Sequence, residues 1–394
     1  MSNRSGSLGP STESVHGGEE RIKYAQSLVN PIAQTATYIF RDLDEVEAFI
    51  AGDREHFEYG RYGNPTQRVA EKKLAALEHA EDALLFPSGM SAVTTVLLAM
   101  LRRSQHLIIM EDCYRKTAQF CGMVSKFDIE STFVAPGDLD EIESAIRPNT
   151  RIIIAESPTN PHLRVVDLER LVPLAREHRL KVLIDSTFAT PINQRPLDFG
   201  VDLVIHSATK YLGGHNDLMA GCICGAAELV SAVRDFQRVT GGIVAPQTAY
   251  LLIRGLKTLA LRVGRQNDSA MQMAAFLDDH HKVRQVYYPG LGDHPDHRIA
   301  REQMRGFGGV VSFDIDGDLE RAREFIRGLK IPYLAPSLGG VESLIAHPAT
   351  VSYYDLSREE RLAIGIKDEL VRYAVGIEDT DELIADLEQA LARI

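Results

Sequence analysis

Short apolar runs recur along the first two-thirds of the chain, and between them lie longer stretches in which apolar and polar positions alternate at helical spacing. The runs are DALLF (82–86), QHLIIM (105–110), STFVA (131–135), RIIIAE (151–156), KVLID (181–185), DLVIHS (202–207) and AGCICG (220–225). Their shortness and near-continuous aliphatic content predict strands buried on both faces, and the intervening helical stretches predict βαβ units in a mostly parallel sheet. The fourth to sixth runs end in Glu156, Asp185 and Ser207, polar residues at strand C-termini, the edge at which open α/β sheets bind ligands. After Lys257 the texture changes to a helical stretch (265–280), the runs VRQVYYPG and GGVVSFDID, and a closing helix over 379–394, which predicts a smaller α+β unit. Before about Tyr59 neither periodicity is sustained, so the opening segment reads as an arm that rests on another surface, in an oligomer a neighbouring subunit. The expected division is an arm over 1–60, a large α/β domain over 61–257 and a C-terminal α+β domain over 258–394.

Composition narrows the function classes. The 394 residues are 44% hydrophobic and 25% charged, the balance of a folded, water-soluble protein of two or three units. A formal net charge of −12 without a dense Lys/Arg run argues against a nucleic-acid partner. The first twenty residues are polar, and no apolar run is long enough to span a bilayer, so a cytoplasmic chain with no membrane partner is expected. Four cysteines without a C-x-x-C pair read as reduced thiols, with Cys222 and Cys224 on one face of a strand as core. His294 and His297 have i, i+3 spacing but no third ligand nearby, so no metal is expected and both read as solvated loop histidines.

Lys210 follows a buried run in VDLVIHSATKYLGG and precedes a Gly pair that lets backbone approach a ligand. Taken alone it is a surface lysine. Its company changes that, because Ser207 and Thr209 offer hydroxyls to a phosphate and Asp185 ends a neighbouring run. An amine for a Schiff base and an anion facing a pyridinium nitrogen are what pyridoxal phosphate (PLP) requires of a protein. The segment DALLFPSGMSAVTTVLLAML reads as strand, turn and helix, with Gly89 and Met90 offering N–H groups to a dianion at the helix N-terminus, although many such turns bind nothing. It has neither the dinucleotide nor the P-loop glycine pattern. Tyr114 follows the run QHLIIM and is placed to lie on a flat ring, with a core tyrosine as the plainer reading; Asn160 follows RIIIAE, in an Asn-Pro pair that is also common in turns. Tyr59, Arg61 and Tyr62 stand in the irregular FEYGRYGNPT, where Arg61 suits a phosphate or carboxylate clamp or is simply a surface arginine. Arg372 lies in the apolar LVRYAVG, where a bare charge is costly; a ligand carboxylate and a buried ion pair both answer that.

Read together, VHGG, PIAQTATYIF, YGRYGNPT, PSGMSA, ESPTNP, IDSTFATP, HSATKYLGGH, GFGGVVSF and APSLGGVESLIAHPA resemble, in order and nearly end to end, the PLP enzymes of cysteine and methionine metabolism. The DCYRKT and GGHNDLMAGC variants are most similar to the plant-type cystathionine γ-synthase branch. The resemblance implies the aspartate aminotransferase-like fold, a homotetramer of two active dimers, and small amino-acid substrates. It implies that Lys210 is the covalent anchor and proton carrier, that Asp185 faces the pyridine nitrogen, and that Tyr114 stacks on the ring. Asn160 would bond the ring oxygen, while Gly89, Met90, Ser207 and Thr209 would hold the phosphate. Tyr59 and Arg61 would reach the neighbouring subunit's phosphate, with Tyr59 also counted as catalytic; Arg372 and Ser337 would bind the substrate carboxylate, and Glu342 would attract a second ammonium. Arg115-Lys116 departs from the small residues common there, and the family's methionine γ-lyases usually carry cysteine at the position of Lys116. The expected reaction is γ-replacement on an activated homoserine ester by cysteine to give cystathionine, with γ-elimination releasing 2-oxobutanoate and ammonia as the alternative. A scaffold that kept the fold and lost its chemistry would not be expected to retain Lys210, Asp185, Tyr114 and Arg372 together.

Overall fold

A computed structural model describes residues 8–394. The first seven positions of the expected arm lie outside the described residues. Seven strands, β1 (Asp82–Phe86), β2 (His106–Met110), β3 (Glu130–Val134), β4 (Thr150–Glu156), β5 (Lys181–Asp185), β6 (Leu203–His206) and β7 (Gly221–Gly225), form one sheet in the order β1-β7-β6-β5-β4-β2-β3. Each of the seven apolar runs supplies one strand. Both faces of the sheet are covered: Leu107, Ile109, Ile152, Ile154, Leu183 and Ile205 point into one core, while Ile108, Met110, Ile153, Ala155, Val182 and Ile184 point into another. The period of two in the pleat makes this sorting, and burial of both sets is why the runs are continuous rather than alternating.

Only β7 runs against its neighbours, pairing antiparallel with both β6 and β1. Between β6 and β7 there is no helix long enough for a parallel crossover, so the chain returns through the loop that carries Lys210. The order reverses between β2, which leads outward to β3, and β4, which leads inward to β5. Such a switch point opens a crevice at the strands' C-terminal ends.

A second sheet holds β8 (Val283–Tyr287), β9 (Val310–Ile315), β10 (Tyr333–Leu334), β11 (Leu344–Ala346) and β12 (Leu370–Ala374) in the order β10-β11-β12-β9-β8, antiparallel except between β10 and β11. The helices Leu259–Asp278, Leu319–Gly328 and Thr380–Leu391 cover one face, packing Met273, Leu277, Phe325 and Leu387 against Val311, Phe313 and Tyr373. Arg372, between Val371 and Tyr373 on β12, therefore projects from the other face.

The segment before residue 60 is more ordered than the sequence pattern predicts. It contains the helix Pro10–His16 and the helix Leu43–Ile50, whose start is fixed by the Asp42 side chain accepting the Glu45 N–H at 2.9 Å. Leu28, Ile39, Leu43 and Ile50 are nonetheless strongly exposed. All four cysteines are free and buried. His294 corrects the expectation of a solvated loop: it is buried, its Nε2 lies 3.4 Å from the His162 carbonyl and its Nδ1 accepts from the Asp296 N–H. Asp296 in turn binds Arg164, so this turn is a structural hub. Among the described residues no His/Cys/Asp/Glu group has the arrangement of a metal site, and no helix is long and apolar enough to cross a membrane.

Candidate active site

At the C-terminal edge of the large sheet a cavity of about 500 Å³ is lined by Ser88, Gly89, Met90, Tyr114, Glu156, Asn160, Asp185, Ser207, Thr209, Lys210, Ser337 and Arg372, among others. Seven separate chain segments supply these residues, two of them from the second sheet's unit. The structure thus gathers every proposed cofactor or substrate residue except Tyr59, Arg61 and Glu342.

Lys210 is held by a short loop rather than by a regular element. Ser207 N–H donates to Thr187 Oγ1 (2.8 Å), Lys210 N–H to the Ser207 carbonyl (3.0 Å), and Gly214 N–H to the Lys210 carbonyl (2.8 Å). Gly214 has φ of +74°, and a Cβ there would meet Arg262 Nη1 at 2.0 Å, so glycine is required for the loop to close. The amine donates to Ser337 Oγ at 2.6 Å and has no carboxylate partner among the described residues. Burial, and then the Arg372 cation, push its pKa down to about 8. A substantial neutral fraction is available near neutral pH, as an amine nucleophile requires. Ser337 has φ of 145°, a region unusual for a residue with a side chain, and strain of this kind concentrates at functional sites.

Two carboxyls, Glu156 buried and Asp185 half-buried, end neighbouring strands in the same cavity as this amine. Asp185 accepts the Thr187 N–H at 3.0 Å and the Thr187 hydroxyl at 2.5 Å. Glu156 accepts the Tyr114 N–H at 2.7 Å. Tyr114 itself is 46% exposed, its ring standing open at the cavity wall.

A helix N-terminus also lines this cavity. Ser88 caps the helix Gly89–Met100 by accepting the Ser91 N–H at 3.0 Å, while the N–H groups of Gly89 and Met90 have no partner among the described residues. Free donors and the helix dipole together favour an anion. A Cβ on Gly89 would stand 2.9 Å from the Ser207 Cβ, so glycine brings the helix end and the lysine loop together. The Thr209 hydroxyl exchanges hydrogen bonds with both backbone groups of Ala220, at 3.2 and 3.0 Å, whereas Ser207 has no such engagement.

Arg372 is 7% exposed, yet no carboxylate lies within 4 Å of it among the described residues. Its guanidinium donates to Asn160 Oδ1 (3.1 Å) and the Ser337 carbonyl (2.9 Å), and its Nε is buried without a partner. The structure removes the buried-ion-pair reading and leaves a cation that lacks an anion at the cavity wall.

Tyr59 and Arg61 stand elsewhere. The Arg61 guanidinium lies 4.7 Å from the Tyr62 ring centroid and binds the Arg238 carbonyl, in the wall of a separate open cavity of about 670 Å³. That larger cavity holds arginines already paired with Glu71 and Asp82, and its lining includes no lysine, serine, threonine or cysteine. Glu342 is exposed, outside the 500 Å³ cavity lining, and accepts from the Asn216 amide at 2.7 Å. Sequence reading gave no role to Thr187, which orders both Asp185 and Ser207, nor to the buried Glu78 carboxylate 2.6 Å from His206 Nε2. Pairing with Glu78 pulls His206 up to about 9 against the opposing effect of burial.

These residues fit PLP: an amine with no anionic partner among the described residues, a hydrogen-bonded carboxyl at the cavity wall, an open aromatic face and a capped helix end with unused donors. The comparisons agree. The family model described as Cys/Met metabolism PLP-dependent enzyme matches residues 11–392. A cystathionine γ-synthase 1, chloroplastic, of Nicotiana tabacum is 50% identical over 384 residues, covering 96% of this chain and 71% of its own. An L-methionine γ-lyase of Fusobacterium nucleatum subsp. polymorphum is 42% identical over 390 residues, 98% of each chain. The crystal structure of a cystathionine γ-lyase from Lactobacillus plantarum complexed with L-serine superposes with a TM-score of 0.91 at 38% identity, over 98% of this chain and 99% of that one.

Proposed function

The chain belongs to the PLP-dependent enzymes of cysteine and methionine metabolism, and we propose that within that family it catalyses γ-replacement, joining cysteine to an activated homoserine ester to give cystathionine. The observation that carries this reading is the 50% identity to a plant cystathionine γ-synthase, against 42% or less to the lyases compared, together with Arg115-Lys116 after the cavity's tyrosine. In the net reaction the Cγ–O bond of the ester breaks, a Cγ–S bond forms, and the acid departs with the thiol proton.

When bound, PLP supplies an aldehyde for covalent attachment and a ring that absorbs electron density from the amino acid. The chain's own residues would do the rest. Arg372, with Asn160 and Ser337 beside it, takes the substrate carboxylate and so fixes which bond at Cα faces Lys210. The Lys210 amine, its pKa near 8, moves protons at Cα and Cβ in either direction at neutral pH. Asp185, steadied by Thr187, would keep the pyridine nitrogen protonated; Tyr114 would cover the ring; Gly89, Met90, Ser207 and Thr209 would hold the phosphate end. Glu342 attracts the ammonium of the incoming cysteine.

The reading extends to assembly. Tyr59 and Arg61 lie outside their own chain's cavity, in a segment whose apolar side chains are exposed, which supports a dimer in which they complete the neighbour's phosphate site and a tetramer of two such dimers. We assign 61–257 to the PLP-binding domain and 258–394 to the domain that brings Arg372 and Ser337.

The test is to offer O-succinyl-, O-acetyl- and O-phosphohomoserine with and without cysteine and to identify the products. Cystathionine from one of the esters is expected. Release of 2-oxobutanoate from cystathionine, with no condensation on any ester, would establish the γ-elimination alternative instead.

A further inference from the structure

Glu156 and Asp185 are register partners on the adjacent parallel strands β4 and β5. Their side chains leave the same face and line the same cavity, and neither has a Lys, Arg or His nitrogen within 4 Å among the described residues. Two carboxyls one strand spacing apart in a buried site do not both ionise without a cation between them. The hydrogen bonds decide which one keeps the charge. Asp185 receives two donors from Thr187, at 3.0 and 2.5 Å, whereas Glu156 receives only the Tyr114 N–H at 2.7 Å.

We propose that Glu156 works as a neutral carboxylic acid, taking the proton of the Glu156–Asp185 pair, fixing Tyr114 through its backbone N–H and leaving Asp185 as the pair's only anion. Glu156 is then a positioning residue: it sets the ring of Tyr114 and protects the charge of Asp185. The groups that face it are Asp185 on β5, Asp112 and Cys113 in the segment after β2, Tyr353 just after the helix Pro348–Val351, and Arg372 on β12. Arg372 is the only cation among them, and its hydrogen bonds go to Asn160 and Ser337. Burial and the Asp185 carboxylate push the Glu156 carboxyl well above the ordinary range, against the Tyr114 hydrogen bond. Burial raises Asp185 as well, but both Thr187 hydrogen bonds, and after them the His206 charge, pull it back. Environments that separate the affinities of two neighbouring carboxyls assign them different protonation states.

The assignment rests on PLP occupying this cavity and not on which γ-reaction follows, so its test uses cofactor binding and a spectrum. Cofactor-free wild type, Glu156→Gln, Glu156→Ala and Asp185→Asn are titrated with PLP by fluorescence, and infrared spectra of wild type and Glu156→Gln are subtracted at neutral pH. Glu156→Gln, which is neutral and still accepts the Tyr114 N–H, is expected to hold PLP far better than Glu156→Ala, which strands that N–H and loses affinity by about tenfold. Asp185→Asn is expected to bind weakly. The difference spectrum should contain the carbonyl band of a protonated carboxyl. If Glu156→Gln weakens PLP as much as Asp185→Asn does, or if the difference spectrum shows only carboxylate bands, Glu156 is an anion and the proposal is wrong. Should Glu156→Ala fail to fold, the Glu156→Gln titration and the spectrum still decide.

Discussion

Replacing Lys210 by methionine should abolish turnover and yet make the cofactor-free protein more stable. The lysine's ammonium is held in a buried site beside the Arg372 cation with no carboxylate partner among the described residues, and its pKa falls from 10.5 to about 8. A shift of that size is worth about 3 kcal/mol, borne by the folded state wherever the lysine is charged. Methionine keeps the length and removes the charge. It also removes the hydrogen bond to Ser337, which returns about 1 kcal/mol and leaves a net gain of about 2 kcal/mol at neutral pH. The sign with pH follows from the depressed value. Below the folded pKa of about 8 both states are protonated and the penalty is complete; between there and 10.5 only the unfolded chain keeps its proton, so wild type gains stability as pH rises. The advantage of Lys210→Met should more than halve by about pH 9.5 and, because the lost Ser337 hydrogen bond remains, disappear before the unfolded value is reached. Thermal melts of both cofactor-free proteins at neutral and alkaline pH check this, with a gap of a few degrees expected at neutral pH. A variant no more stable than wild type at pH 7, or a gap that does not change with pH, would show that the Lys210 ammonium is well solvated and that the argument from burial is wrong.

Arg372→Ala should raise KM for the amino-acid substrate by about a hundredfold or more, since a buried charged contact is lost. Arg372→Lys should recover only part of this, because an ammonium lacks the guanidinium's paired donors. Steady-state kinetics separate the two, and an unchanged KM in Arg372→Ala would remove Arg372 from the substrate site. Glu342→Ala should impair use of cysteine more than processing of the homoserine ester alone, and equal losses would leave Glu342 a structural partner of Asn216. Arg61→Ala and Lys210→Ala chains, each inactive alone, should complement after subunit exchange: half of the dimers are mixed and each regains one of two sites, giving about a quarter of wild-type activity. Activity no higher than the parents' average, with mixed dimers verified by differently tagged chains, would place Arg61 in its own chain's site.

The sequence by itself determined the strands of the large sheet, because each is a short aliphatic run buried on both faces, and burial writes such runs continuously. It also determined the family, through motifs that keep their order from VHGG to APSLGGVESLIAHPA. The reversed strand β7 was latent in the lack of a crossover helix after β6. The helix Leu43–Ile50 was written in its Asp42 cap and in the spacing of Leu43, Val46 and Ile50, but an eight-residue element in an exposed segment has too few periods to stand out. What only the tertiary structure decided depends on residues far apart in the chain. Residue 372 reads locally as a strand position, and only the register with β9, together with helices covering the other face, turns its charge toward residues 160 and 337. Two residues 29 apart, Glu156 and Asp185, become neighbours because β4 and β5 pair in register, so their competition for one proton is a property of the sheet. The burial of His294 has the same origin, since a turn-rich stretch gives no sign that Arg164 and His162 will close over it. Local pattern reports what each segment would bury, while the charge, protonation and partner of a buried group are set by whatever the fold brings against it.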